Sequence, residues 1–196
     1  MSEVGGPINF SASRVYVSQD ADDDQLVSRC LRGDNAAFEG IVQRYQRVLF
    51  TVALRMLGDY DEAVDATQNA FVKSYQKLAT FDRQYRFFSW IYRILLNECL
   101  NAQRDRRPRE PLTPELATVG SPAEAFEAAE RRRGVQAAIL ALPIESREVI
   151  ILRHFTELSY EQIGDALGVE AKTVKSRLHT ARERLGRMLV AWGPGT

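Results

Sequence analysis

From residue 34 the apolar positions fall at Phe38, Ile41, Val42, Tyr45, Val48, Leu49, Val52 and Met56. Gaps of three and four residues put them on one stripe of a helix, with Asp34 or Asn35 as its cap and Gly58 as its stop. A second helix starts at residues 59–61. It carries Ala63, Val64, Thr67, Phe71, Tyr75 and Leu78 on its inner face and Asp61, Glu62, Asp65, Gln68 and Asn69 on the other. Residues 80–86 break the period, 88–104 resume it, and a short helix at 24–32 precedes Gly33. Farther on, helices are predicted at 125–141, 145–155, 159–167 and 171–190. No alternating pattern of strand length occurs, so the expected fold is all-α.

Residues 108–130 interrupt this pattern with Pro108, Pro111, Pro114 and Pro122, and with five glutamates against the single Arg109. They read as a flexible acidic linker, helical only near its end. The expected organisation is therefore an N-terminal extension at 1–20, aperiodic and disordered; a first helical domain at 21–107; a linker at 108–126; and a second helical domain at 127–192.

The second domain contains the most specific local pattern. Ser159 with Gln162 three residues on forms a capping box, and Tyr160, Ile163 and Leu167 supply the buried stripe of the helix it opens. Gly164 permits close approach of another helix, and Gly168 makes the turn. In the next helix Val174, Leu178, Leu185 and Met188 point inward. Two short helices about a glycine turn make a helix-turn-helix. The outward residues Lys172, Thr173, Lys175, Ser176, Arg177, His179, Thr180 and Arg182 combine phosphate-pairing cations with short donors suited to base edges. Between Glu170 and Arg187 six Lys/Arg stand against two Glu, which favours DNA over a merely solvated basic hairpin.

Charge is segregated elsewhere too. Residues 82–109 hold seven Arg against three acids. Phe81, Tyr85, Phe87, Phe88, Trp90 and Tyr92 are interleaved with Arg83, Arg86 and Arg93. Rings stack on exposed bases at roughly 1–3 kcal/mol each and arginines pair with phosphates, so single-stranded DNA is a sensible ligand. Packing into a helical core is the competing reading, stronger for Phe88, Ile91 and Leu95 than for Tyr85 or Arg86. The acidic face at Asp59, Asp61, Glu62 and Asp65 would repel DNA. With Gln68, Asn69 and Phe71 it makes a polar-to-apolar surface fit for a protein partner, although such faces are often only solvated. The net charge of zero, 26 Lys+Arg against 26 Asp+Glu, is a cancellation of these blocks.

The remaining chemistry is sparse. Cys30 and Cys99 are far apart and far from any His, which suggests a reducing compartment and two buried helical thiols. His154 reads as a structural residue at a helix end. Neither His has a partner at metal-ligand spacing, and the first domain has no catalytic constellation, so no metal, cofactor or enzymatic activity is expected. With no signal peptide and no apolar run of membrane length, the expectation is a soluble cytoplasmic protein without membrane insertion.

Four ordered motifs carry a family resemblance over residues 25–189: the run from Asp61 to Tyr75; Phe88-Ser89-Trp90-Ile91-Tyr92-Arg93-Ile94 followed by Asn97; Leu142-Pro143 through Arg147-Glu148-Val149; and the helix-turn-helix. Together they resemble bacterial RNA polymerase sigma factors of the extracytoplasmic-function group. The resemblance implies that the first domain is region 2, holding the beta-prime clamp of core RNA polymerase through Asp61, Glu62, Asp65, Gln68, Asn69 and Phe71. It implies capture of the unpaired minus-10 strand by the loop and helix at 82–101, with Arg83, Tyr85, Arg86, Phe88, Trp90, Arg93, Asn97 and Asn101. The second domain would be region 4, reading minus-35 duplex through the helix from Ala171 and sitting on the beta-flap. The linker would thread a nucleic-acid channel of the polymerase, and an anti-sigma factor would be a further partner. Val64 and Asn69 stand where the family often has acids, which shifts the clamp contact toward Asp61, Glu62 and Asp65. The loop 82–87 lacks the usual small residues, so it names no minus-10 base. The competing reading is a stand-alone helix-turn-helix regulator.

Overall fold

The computed structural model describes residues 20–105, 122–156 and 158–191. Among them the chain is helical, with no strand: α1 (Asp20–Leu31), α2 (Asn35–Leu57), α3 (Tyr60–Gln76), a 3-10 turn (Leu78–Thr80), α4 (Phe87–Asp105), α5 (Pro122–Leu140), α6 (Ile144–Phe155), α7 (Tyr160–Leu167) and α8 (Ala171–Ala191). The N-terminal extension and nearly all of the linker proposed above lie outside the described residues.

Local chemistry sets the helix ends. Asp34 caps α2 by accepting from the Ala37 N–H at 3.3 Å, and it pairs with Arg29 of α1 at 2.7 Å. Gly58 ends α2 at φ +71°, its N–H donating to the Leu54 carbonyl, and Asp59 at once caps α3 through the Glu62 N–H at 3.0 Å. Two residues thus turn one helix antiparallel to the next, which only a left-handed glycine permits without strain. A Cβ on Gly58 would also stand 2.5 Å from Leu140 Cδ1 of α5. Gly58→Ala is therefore expected to cost about 1–2 kcal/mol of stability; an unchanged denaturation midpoint would contradict this.

In the first domain α2 is central, with α1, α3 and α4 packed on it. Asp23 is 3% exposed; it accepts from Arg44 at 2.5 Å and from the Tyr45 hydroxyl, pinning α1 to α2. Lys73 of α3 reaches both Glu98 oxygens of α4 at 2.7 Å. The buried face of α3 is Ala63, Ala66, Thr67, Ala70, Phe71 and Ser74. It is rotated from the expected stripe: Val64 is half-buried and Tyr75 exposed, the Tyr75 hydroxyl donating to Asn35 Oδ1 at 2.8 Å. Apart from Phe71 the face that packs inward is made of small residues, and Val72 and Tyr75 are turned outward.

In the second domain α6 is buried on more than one side. Val149, Ile150, Ile151 and Leu152, four consecutive positions, are each 0% exposed. One face of a helix cannot bury four successive residues. The other side is covered by the first domain: α6 and α5 pack on α2, and α7 packs on α4. The two domains share one continuous core. Each is small, as the sequence indicates, but they are not held apart.

Candidate nucleic-acid and protein interfaces

The helix-turn-helix forms as its sequence dictates. The Ser159 hydroxyl accepts from the Gln162 N–H at 3.2 Å, and the Gln162 side chain accepts from the Ser159 N–H at 2.7 Å. Gly168 ends α7 at φ +68°. A Cβ on Gly164 would lie 2.6 Å from the Val169 carbonyl oxygen, so the turn closes directly over a glycine. Val174, Leu178, Ala181 and Leu185 anchor α8 at 0–1% exposure. The opposite face presents Lys172, Lys175, Ser176, His179 and Arg182 exposed, with Thr173, Arg177 and Thr180 half-buried. His179 Nε2 lies 3.6 Å from Glu183 one turn on.

Arg177 differs from its neighbours. It is half-buried, and its charge acts on Glu148 of α6, which is 7% exposed. Burial raises the Glu148 carboxyl to about 7, against the lowering pull of Arg177 and Arg147.

On the first domain the aromatic run divides. Phe81, Phe87, Phe88 and Tyr92 are buried, at 9%, 3%, 4% and 0% exposure. Phe87 and Phe88 lie 5.7 and 5.9 Å from Tyr45, and Phe81 lies 5.4 Å from Phe87. These four rings build the core that holds α4, which corrects the expectation of a largely exposed stacking surface. Trp90 is half-buried over Phe81 and Phe87. Tyr85 is the exposed ring, at 53%, in the loop with exposed Arg83 and Arg86; the Arg93 guanidinium stands 6.0 Å from its centre. Asn97 is exposed and Asn101 half-buried on the same helix.

The acidic face of α3 is open, with Asp61, Asp65, Gln68 and Asn69 exposed, Glu62 half-buried and Val72 exposed beside them. Phe71, expected on this surface, points the other way at 9% exposure. Cys99 is buried, its thiol pushed up to about 12 by desolvation; Cys30 is only half-buried, and its thiol is raised by burial and by Asp34. Neither holds a reactive thiolate at neutral pH. Among the described residues no group of three or more His, Cys, Asp or Glu could hold a metal, and no helix is long and apolar enough to cross a membrane.

A basic recognition helix on one domain, with an arginine-bordered loop and helix and an acidic helix face on the other, defines a helical, two-domain transcription factor. Residues 41–109 match the family model for Sigma-70 region 2 and residues 132–185 that for Sigma-70, region 4. The chain is 34% identical over 176 residues to the ECF RNA polymerase sigma factor SigW of Bacillus subtilis, covering 83% of this chain and 94% of that protein. It is 36% identical over 180 residues to the RNA polymerase sigma-H factor of Pseudomonas aeruginosa, covering 85% and 93%. Among solved structures, CnrH in complex with the cytosolic domain of CnrY superposes with a TM-score of 0.67 at 26% identity, over 87% of this chain and 98% of that one. The sigma factor RpoE in complex with the anti-sigma factor NepR, from Bartonella quintana, gives 0.61 at 26% identity over 77% and 97%. The chain belongs to the extracytoplasmic-function sigma factors, a family of transcription initiation factors.

Proposed function

We propose that this chain is the promoter-specificity subunit of a bacterial RNA polymerase, acting in the cytoplasm without catalytic chemistry of its own. Its exposed acidic α3 face, Asp61, Glu62, Asp65, Gln68 and Asn69, binds the beta-prime clamp; Phe71 supports that face from within. The loop 82–86 and the outer side of α4, with Arg83, Tyr85, Arg86, Trp90, Arg93, Asn97 and Asn101, take the melted minus-10 strand, Phe88 serving as the packing beneath. The α8 face, Lys172, Thr173, Lys175, Ser176, Arg177, His179, Thr180 and Arg182, reads the minus-35 duplex, and the second domain docks on the beta-flap. The linker occupies a polymerase channel. An anti-sigma factor is the regulatory partner, a reading supported by the complexes in which the solved relatives CnrH and RpoE stand.

The observation that carries this reading is the cation excess over residues 170–187, six Lys/Arg against two Glu, with Lys172, Lys175, Arg182 and Arg187 exposed on a helix whose opposite side is buried. The test is run-off transcription from a promoter library with core polymerase. Sequence-selective initiation that depends on this chain supports the reading; core-independent retention of a palindromic site would instead favour a stand-alone regulator. In the same assay Tyr85→Ala is expected to reduce open-complex formation about 10- to 100-fold, one lost base stack, while closed-complex affinity changes little. Equal loss in both steps would remove Tyr85 from the strand-capturing role.

A further inference from the structure

One carboxylate of the first domain lies behind the side that carries Tyr85 and Trp90. Asp23 of α1 is 3% exposed, so it is too enclosed to touch a nucleic acid, and its sign is wrong for a phosphate partner. Its two oxygens are held by consecutive residues of α2. Oδ1 accepts from Arg44 Nη1 at 2.5 Å, and Oδ2 accepts from the Tyr45 hydroxyl. A hydroxyl donating to an ionised carboxylate makes a strong, short hydrogen bond. Here it holds the tip of a ring that is itself buried.

Tyr45 is the first ring of a continuous series. Its centre lies 5.7 Å from that of Phe87, and Phe87 lies 5.6 Å from Trp90. Phe81 closes the set at 5.4 Å from both Phe87 and Trp90. Phe87 and Trp90 stand in the first turn of α4, where the Trp90 N–H donates to the Arg86 carbonyl at 3.2 Å. The series therefore begins at a fixed charge on α1 and ends at the half-buried ring next to the loop with Tyr85. Rings in contact prefer particular tilts, so a shift of the Tyr45 tip changes the attitude of Trp90 two contacts on.

Adhesion of α1 does not need the carboxylate. Val27 is fully buried, and Leu26 and Cys30 pack against the same core. Apolar residues of matching volume often hold an element as firmly as a buried ion pair. What a satisfied buried polar group adds is a fixed geometry.

We propose that Asp23 and Tyr45 are positioning residues for strand capture: the bond between them holds the ring series from behind and so sets the plane in which Trp90 meets an unpaired base. The proposal rests on the sigma-factor reading in placing Trp90 at the minus-10 strand. Open-complex formation depends on that plane, whereas closed-complex affinity, set by the duplex contacts of α8, does not.

The test uses the full chain carrying Trp192→Phe, which leaves Trp90 as the single tryptophan of the two in the sequence. Tyr45→Phe removes the hydroxyl and keeps the ring. Asp23→Ala removes the acceptor and is used only if circular dichroism shows native helix content. Acrylamide quenching and the emission maximum of the free protein report on Trp90. Rapid mixing with core polymerase and promoter separates closed-complex affinity from the rate of opening. Tyr45→Phe is expected to increase Trp90 quenching, shift its emission to the red and slow opening about 3- to 10-fold, the net contribution of one hydrogen bond, with closed-complex affinity unchanged. Asp23→Ala is expected to act in the same direction, and the double variant to lose no more than Asp23→Ala alone, because both changes delete the same bond. Wild-type quenching in Tyr45→Phe, or a wild-type rate of opening, would overturn the proposal. Equal losses in both steps would also overturn it, since a general loosening of the domain gives that result. Absence of transcription from the parent chain and variants alike would instead overturn the sigma-factor reading, while quenching still decides whether the Asp23 bond holds Trp90.

Discussion

Replacing Lys172, Lys175 and Arg182 together by alanine is expected to weaken promoter binding by the polymerase-bound chain about 100-fold at 50 mM salt. These three cations are exposed on α8, whereas Arg177 is half-buried. Each phosphate contact releases counterions and contributes about 0.9 to the slope of log affinity against log salt, so three fewer contacts flatten that slope by about 2.7. Between 50 and 200 mM salt the wild-type advantage should then shrink about 40-fold. A salt titration on a fragment carrying both promoter elements checks this directly. Parallel salt dependences for wild type and triple variant would place the phosphate contacts elsewhere.

Raising the pH from about 5 to about 7.5 is expected to destabilise the native protein through Glu148, with Glu148→Gln removing that part of the decline. Burial raises this carboxyl from 4.5 to about 7, so in the window between those values the native state keeps a proton that the unfolded chain releases. Stability therefore falls as pH rises through the window and levels off above it. At about 1.4 kcal/mol per pH unit, the contribution is about 3 kcal/mol. The groups facing the carboxyl are Glu145 and Arg147 on α6, Arg177 on α8 and, across the domain boundary, Tyr92 on α4. The Tyr92 hydroxyl is buried without a hydrogen-bond partner. Denaturant midpoints at pH 5.5 and 7.5 test this: an equal decline in wild type and Glu148→Gln would show that another group carries the dependence.

What could be read from the sequence is what local chemistry decides. Asp34, Gly58, Asp59, Ser159, Gln162 and Gly168 each act on atoms within a few residues, and each occupies the helix end its type implies. The recognition face of α8 was legible for the same reason, because Val174, Leu178 and Leu185 fix the helix phase. The aromatic run at 81–92 was less legible. Spacing alone did not indicate that the 3-10 turn and loop fold Phe81 back against Phe87, leaving Tyr85 as the exposed ring. Phe71 is readable both as part of the stripe with Ala63 and Thr67 and as the apolar edge of the acidic surface; at 9% exposure it belongs to the stripe.

The domain contact had one visible trace, the unbroken apolar run Val149-Ile150-Ile151-Leu152, which a single-sided helix does not need. Its polar part left none. Arg93 donates to the Ala166 carbonyl and Arg147 to the Met56 carbonyl, and every residue has a carbonyl, so no partner is written in the residue types. Arg93 could be recognised as a cation near a DNA surface, but not as a cap for a helix some seventy positions away.

The burial of α6 on two sides has a consequence for anyone cutting this protein into modules. A recognition domain excised from residue 122 onward, or grafted behind a different region 2, would lose α2 and expose the apolar side of α6. A contiguous patch of that kind promotes self-association in solution. Polar replacements on the α2-facing side of α6, chosen to leave Val174, Leu178 and Leu185 their packing surface, would be the natural requirement for a soluble chimera.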